Sequence, residues 1–340
     1  MLKKVAAVLA ASLALAGGAK SANYKQEYKL SIVTPMDSIF GVAASGWADT
    51  VREKTNGRIN IKIYPSAMLL GGEQTREFAA LREGVIDIAI GAGISWSPQV
   101  KEFNVFSLPF LIPDDAAADA AIAGPGGDMI FARLRNLGIE PLAWGDSAFR
   151  IVTNAKLPIR KPEDFKGLKL RAIGSPLFTD FYTSLSANPT QMSAIDMQAA
   201  LATGAIDGAD QSVEGFRIFK LVTLKQKYLT LLNHCWEPLV FSVNKKVWEQ
   251  WSADDQKIVK DAAVEQGEKT RQLKRNGLTA KDDHVLKEIE ASGAQVIQLT
   301  AEERAAFREA TKAVYQKWAA QLNPALVAAI EKSAAEAQKK

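Results

Sequence analysis

Arg171 closes the segment Gly167-Leu-Lys-Leu-Arg171, and its guanidinium suits the capture of a small anion. A guanidinium stays charged and presents a planar fork matched to a carboxylate, so it fixes both charge and orientation. Leu168 and Leu170 alternate inward and leave Arg171 at the end of a short strand, where ligands gather in α/β folds. By itself the pattern fits a ligand anchor and a structural salt bridge equally well. Catalysis has less to work with. The 340 residues include one cysteine, Cys235, and two histidines, His234 and His284. A lone cysteine makes no intramolecular disulfide and no cysteine-based metal cluster. In Leu231-Leu-Asn-His-Cys-Trp236 it reads as a small buried hydrophobe. A His234–Cys235 catalytic pair is disfavoured, because neighbours on a strand point to opposite faces. The chain has no Gly-x-Ser-x-Gly elbow, no histidine pair at metal spacing and no Gly-x4-Gly-Lys phosphate loop. That sets a secreted hydrolase behind a binding role.

The elements that position such groups show a repeat. The pattern AALxxGxID occurs at Ala79–Asp87 and again at Ala199–Asp207. In each copy an Ala- and Leu-rich helix ends at a glycine, Gly84 or Gly204, whose missing Cβ eases a left-handed cap. The chain then turns into a strand. Two such units imply two similar α/β lobes with a ligand cleft between them, unless the short match is coincidence. A mature chain of about 320 residues also exceeds the usual size of a single core.

Along the chain, Lys25–Val33 reads as a first strand, Ser38–Lys54 as a helix and the strictly alternating Arg58–Tyr64 as a strand. The first repeat helix spans Gly72–Glu83 and leads to the strand Ile86–Ala92. A helical stretch over Ala116–Gly138 is broken by Gly124–Gly127. The crossover strand Phe149–Asn154 leads to the second lobe, with a strand at Leu168–Ala172, a helix at Pro176–Leu185 and the second repeat. A return strand covers Pro238–Val243. From Ser252 the pattern stays helical to about Ala291, long enough to lie along both lobes. A strand at Gln295–Leu299, a helix from Thr300 to about Leu322 and a weakly anchored helix from Ala325 follow. The expected boundaries are residues 27–149 plus about 239–265 for lobe 1. Residues 150–238 plus about 266–322 form lobe 2 with the spanning helix, and 323–340 the C-terminal helix.

Met1-Leu-Lys-Lys, the apolar run Val5–Ala16 and small residues after it have the layout of a secretory leader. Cleavage after Ala19 is expected, with Ala22 as the alternative. The apolar run is too short to span a bilayer, and no cysteine stands near the cleavage site for lipid attachment. The mature chain is expected to be exported and soluble. Losing Lys3 and Lys4 takes the formal charge from +4 to +2, which offers no basic face for nucleic acid.

The segment Asn154-x3-Pro158-Ile-x2-Pro162-x-Asp164-Phe-Lys-Gly167-Leu-Lys-Leu-Arg171 is followed by Leu185-x-Ala187-Asn-Pro-Thr190-x-Met192 and by Ala200-Leu201-x2-Gly204-x-Ile206-Asp-Gly208. This ordered set resembles DctP-type substrate-binding proteins of TRAP (tripartite ATP-independent periplasmic) transporters, and the likeness covers nearly the whole mature chain. It implies an α/β, two-lobed periplasmic binding protein fold, each lobe a sheet flanked by helices, with a long helix spanning both. It implies a non-enzymatic protein that captures a small organic acid and delivers it to membrane permease subunits, without a cofactor. The C-terminal helix could pack on its own chain or on a second one, and a monomer is expected in preference to a dimer.

The resemblance makes Arg171 the carboxylate clamp. Arg150 stands where the sialic-acid branch has a second arginine, or else pins the hinge by an ion pair. Gln211 stands where several branches have asparagine, which puts a sialic-acid ligand in doubt. Asp210-Gln211 replaces the Glu-Trp of keto-acid binders, so metal-assisted binding is not supported; Asp210 is a lone carboxylate, which argues weakly for a metal ligand, and is kept as a candidate ligand contact. Phe40, Trp96, Trp144, Phe149, Phe178 and Trp236 lie near loops or strand ends where a cleft would form, with ordinary core as the alternative. Trp96, directly after the first repeat strand, is the foremost of them, and Glu237 is expected to sense a ligand hydroxyl or amine. An ABC-type binding protein and the ligand sensor of a signalling receptor share the broad class.

Overall fold

The repeat governs the architecture. The computed structural model describes residues 24–279 and 281–339. The expected leader, 1–19 or 1–22, lies outside them. Among the described residues no helix is long and apolar enough to cross a membrane.

The strands are β1 (Tyr28–Ser31), β2 (Ile61–Tyr64), β3 (Ile88–Ala92), β4 (Ile139–Phe149), β5 (Ile151–Asn154), β6 (Lys169–Ala172), β7 (Asn188–Gln191), β8 (Gly208–Gln211), β9 (Tyr228–Thr230), β10 (Trp236–Asn244) and β11 (Gln295–Ile297). They form two sheets, ordered β2-β1-β3-β10-β4 and β7-β6-β8-β5-β9-β11. The first five strands of each follow the same scheme. Three are parallel, and the fourth, β10 or β5, is antiparallel to the third and belongs to a crossing between the lobes.

Both repeat glycines adopt the left-handed cap, Gly84 at φ 79° and Gly204 at φ 74°. The aspartate ending each copy braces the sheet. Asp87 Oδ2 accepts the Lys29 N–H at 2.9 Å, and Asp207 Oδ2 accepts the Lys169 N–H at 2.9 Å. Each donates its own N–H back to the same lysine's carbonyl. The pattern therefore builds the lobes, and its aspartates stand outside the lining of the interlobe cavity.

Other local signals act as the sequence implies. Ser38 caps the helix Ile39–Lys54 through Gly41 N–H, and Thr300 and Glu303 form a reciprocal capping box ahead of Ala301–Ala310. Three expectations need correction. The long helix ends at Arg275, because the chain turns at Asn276-Gly277 with Gly277 at φ 70°. It packs its Val259, Ala262 and Ala263 on the first lobe, and the next helix, His284–Ala291, packs on the second. The C-terminal helix Pro324–Ala337 is firmly anchored, burying Leu326, Val327, Ile330 and Ala334 in the first lobe's core. The crossover also contains the full strand β4, pairing along β10 from Ile139 to Phe149, where only its last residue was expected.

One buried acid stands out in the first lobe. Glu77 accepts from Ser31 Oγ at 2.7 Å and from Trp96 Nε1 at 3.1 Å. Burial pushes its carboxyl up to about 8 despite those two donors. The folded value lies above the unfolded one, so this site's contribution is full at acid pH. It is lost as the pH rises from about 4.5 to about 8, where the unfolded chain has already shed the proton. Each pKa unit corresponds to about 1.4 kcal/mol. Urea unfolding of the wild type should therefore lose a few kcal/mol between about pH 5 and pH 8, and Glu77→Gln should flatten that slope. Equal slopes in the two proteins would remove Glu77 as its source.

Candidate ligand-binding site

The C-terminal ends of the parallel strands β3, β6 and β8 converge with the crossing from β4 to β5 on a cavity between the lobes, of about 60 Å³. This is where α/β sheets gather ligands. The lobes stand closed over it. Glu214 of the second lobe accepts the Ile39 N–H of the first at 2.5 Å, and Ser97 Oγ lies 3.4 Å from Ser175 Oγ. A larger cavity of about 480 Å³ opens on the hinge side. Its basic residues Lys274 and Arg275 are held by Asp115, Asp119 and Asp146 and its Arg217 by Glu288, so it presents paired charge.

Both arginines of the small cavity are buried, and their partners differ. Arg150, at the crossing, donates from Nε to Asp210 Oδ1 at 2.7 Å, pairs again through Nη2, and lies 3.4 Å from Glu237 Oε2. Burial works against its charge, yet Asp210 and Glu237 outweigh it and raise its pKa. Asp210 is equally engaged: Tyr182 donates to its Oδ2 at 2.5 Å, and His234 Nε2 lies 3.1 Å from the same oxygen. Burial resists its ionisation, but Arg150 and these neighbours hold it well below the usual carboxylate range.

Arg171 is different. Its Nε donates to Met192 O at 3.1 Å and its Nη1 to Asp210 O at 2.9 Å, both backbone carbonyls. Among the described residues no carboxylate pairs with it. Burial, then Arg150, bring its pKa down to about 10, so it stays charged at neutral pH. Asp210 and Glu237 favour its charge from a distance, but a buried cation bonded to no carboxylate, lining the cavity, suits an anion.

Arg171, Arg150, Gln211, Phe40 and Glu237 all line the cavity. Gln211 donates to Met197 Sδ at 3.0 Å. Glu237, beside Ser147 Oγ at 3.1 Å, has its carboxyl raised by burial against the pull of Arg150. Asp210 stands behind the wall, on Arg150.

Five of the six aromatics expected at the cleft lie away from the interlobe cavity. Trp96 is fully buried in the first lobe's core, bonded to Glu77 and edge-on to Phe78 and Phe103. Its ring fills the space beside Gly91, where a Cβ would stand 2.0 Å from it. Trp236 is likewise core, donating to Asp146 Oδ1 at 2.7 Å and packing on Phe106. Trp144 and Phe178 also pack in lobe cores, whereas Phe149 borders the hinge-side cavity. Sequence reasoning missed Ser147, Glu214, Tyr182 and His234 as parts of the site. Glu214, three positions beyond Gln211, carried the one available signal, since a helix opening at Ser212 must start beside the second repeat strand. Cys235 is buried, and burial pushes its thiol well above the ordinary range, which makes it inert.

Known proteins share this frame. A TRAP periplasmic solute-binding protein of Ralstonia eutropha H16, solved with bound (S)-2-hydroxy-2-methyl-3-oxobutanoate ((S)-2-acetolactate), is 49% identical. It superposes with a TM-score of 0.90 over 92% of this chain and 100% of its own. The sugar acid binding protein DctPAm of Advenella mimigardefordensis, in complex with galactonate, is 26% identical with a TM-score of 0.83, covering 92% of this chain and 99% of its own. The C4-dicarboxylate-binding periplasmic protein DctP of Rhodobacter capsulatus is 29% identical over 311 residues, 91% of each chain. With its two matching sheets, its interlobe arginines and a match to the DctP family model over residues 30–322, the chain belongs to the bacterial extracellular solute-binding proteins of family 7.

Proposed function

We propose that the protein, exported with residues 1–19 removed and working as a monomer, captures a short hydroxy- or oxo-acid between its lobes. It then hands the acid to the membrane subunits of a TRAP transporter, with no chemical step. The observation that carries this is Arg171, a buried guanidinium facing the interlobe cavity with no carboxylate partner among the described residues. The ligand carboxylate supplies the missing charge. Arg150, Gln211, Ser147 and Glu237 offer polar contacts to a second oxygen, while Phe40, Ile173 and Phe219 offer apolar wall.

The size of the cavity supports a small ligand. At about 60 Å³ it is much smaller than the hinge-side cavity of about 480 Å³, which favours a short acid over a hexose acid. The acetolactate bound by the Ralstonia eutropha protein is of the favoured size and chemistry.

A thermal-shift series tests the reading. Acetolactate and other short hydroxy- and oxo-acids are expected to raise the melting temperature, by the equivalent of about 2.7 kcal/mol at 100 times Kd. Galactonate and glucuronate are expected to do little. A larger shift with the sugar acids, or none with any short acid, overturns it.

A further inference from the structure

The charges around the small cavity do not balance evenly. Its lining contains two arginines, Arg150 and Arg171, and two carboxyls, Glu214 and Glu237. Arg150 is spent on Asp210 and Glu237. Among the described residues this leaves Arg171 as the cation of the lining without a carboxylate partner, and one carboxylate satisfies it. A second carboxylate on the same ligand would find no free cation and would meet Glu214 or Glu237.

Glu214 is held in that place by the opposite lobe. It stands in the first turn of the helix Val213–Ile218, and its Oε1 accepts the N–H of Ile39, the first residue of the helix Ile39–Lys54. The bond exists only while the lobes are together. We propose that Glu214, pinned across the mouth in this way, makes the closed cleft selective for monocarboxylates and rejects dicarboxylates of equal length. The inference rests on the reading that Arg171 holds the ligand carboxylate. Bringing a like charge against a desolvated carboxyl, with nothing to pair it, discriminates by repulsion rather than by a better fit to the favoured ligand.

The rejection carries a pH signature. Asp37 faces Glu214 from the segment before the Ile39 helix and Glu237 from β10, while Arg217 lies on its own helix. Arg150 and Arg171 line the same cavity, and Asp114, Asp115, Lys274, Arg275 and His284 line the hinge-side cavity that Glu214 also borders. Burial pushes the Glu214 carboxyl up to about 7, opposed by the Ile39 N–H and Arg217 and reinforced by Asp37 and Glu237. Its charge is therefore present above about pH 7 and fades below.

Calorimetric titration with 2-hydroxybutyrate and with malate separates the cases, since these four-carbon acids differ by a terminal methyl against a carboxylate. The wild type is expected to bind 2-hydroxybutyrate at least about tenfold more tightly than malate at pH 8, with the ratio shrinking about tenfold towards pH 6. Glu214→Gln keeps an acceptor for the Ile39 N–H and removes the charge, so its ratio should be smaller and vary less with pH. Equal binding of the two acids by the wild type overturns the proposal, as does an unchanged ratio in Glu214→Gln. The same titrations on Arg171→Ala keep the two readings apart. Loss of 2-hydroxybutyrate there, with an unchanged ratio in Glu214→Gln, refutes the role of Glu214 and leaves the anchor standing. Undiminished binding by Arg171→Ala refutes the anchor, and the selectivity argument goes with it.

Discussion

Arg171→Ala is expected to weaken binding of the acid ligand by about 2–5 kcal/mol, roughly 30- to 5,000-fold in Kd, while the protein stays folded. The size follows from what the mutation leaves behind, a ligand carboxylate enclosed between the lobes with no counter-charge. The fold survives because Arg171 gives its own bonds to two backbone carbonyls, Met192 O and Asp210 O, and holds no other side chain in place. Removing it also relieves its repulsion with Arg150. Arg171→Lys keeps a charge and loses the planar fork, so it should fall between wild type and alanine. Calorimetry with the best acid from the thermal-shift series, alongside melting curves, measures both halves of the claim. An alanine variant binding within a few-fold of wild type would exclude Arg171 as the anchor.

The largest effect on stability is expected from Asp210→Ala. Asp210 neutralises Arg150 and receives the Tyr182 hydroxyl, and all three are buried. Deleting it takes the nearer carboxylate from a buried guanidinium at the crossing between β4 and β5 and leaves Glu237, 3.4 Å away, to face it, at a cost of about 3–5 kcal/mol. Adding Arg150→Met to that variant should recover much of the loss, because the poorly compensated charge disappears with it. Urea denaturation of the two single variants and the double measures the coupling, and additive losses would mean that the pair is not a unit. Asp210 has its pKa lowered, so its contribution is present above the unfolded carboxylate value near 3.9 and is lost only as the pH falls below it. Between about pH 5 and pH 8 it is constant, so pH dependence there belongs to groups shifted upward, such as Glu77.

These two residues mark how far the sequence could be read. Arg150 and Arg171 stand 21 positions apart, each at the end or start of a short strand. Sequence left each open between a ligand contact and an ion pair. The structure gives Arg150 to Asp210 and Glu237 and leaves Arg171 without a carboxylate partner among the described residues. Nothing local encodes that difference. It depends on Asp210 arriving from β8, beside β5 in the sheet, with its side chain turned to the crossing.

Trp96 shows the same limit. Its place after a repeat strand suggested the cleft, but the absent side chain of Gly91 lets the indole fold back into the lobe. The corresponding position of the second copy, Gln211, has a side chain and keeps it at the cavity. The C-terminal helix was misjudged for a different reason. Its alanine-rich composition hid Leu326, Val327, Ile330 and Ala334, whose helical spacing already defined one burying face.

The sequence by itself determined the frame: glycine caps at 84 and 204, aspartate braces 120 positions apart, helix starts at Ser38, Ser252 and Thr300, and the ordered motifs of a DctP-type chain. These are short-range features, specified by backbone sterics and hydrogen bonds within a few residues. Tertiary structure alone decided which buried charge is matched and which is not. Charge pairing depends on groups 60 or more residues apart being brought within 3 Å in a medium that screens poorly, as Arg150 and Asp210 are. Arg171 is marked out by what did not come near it.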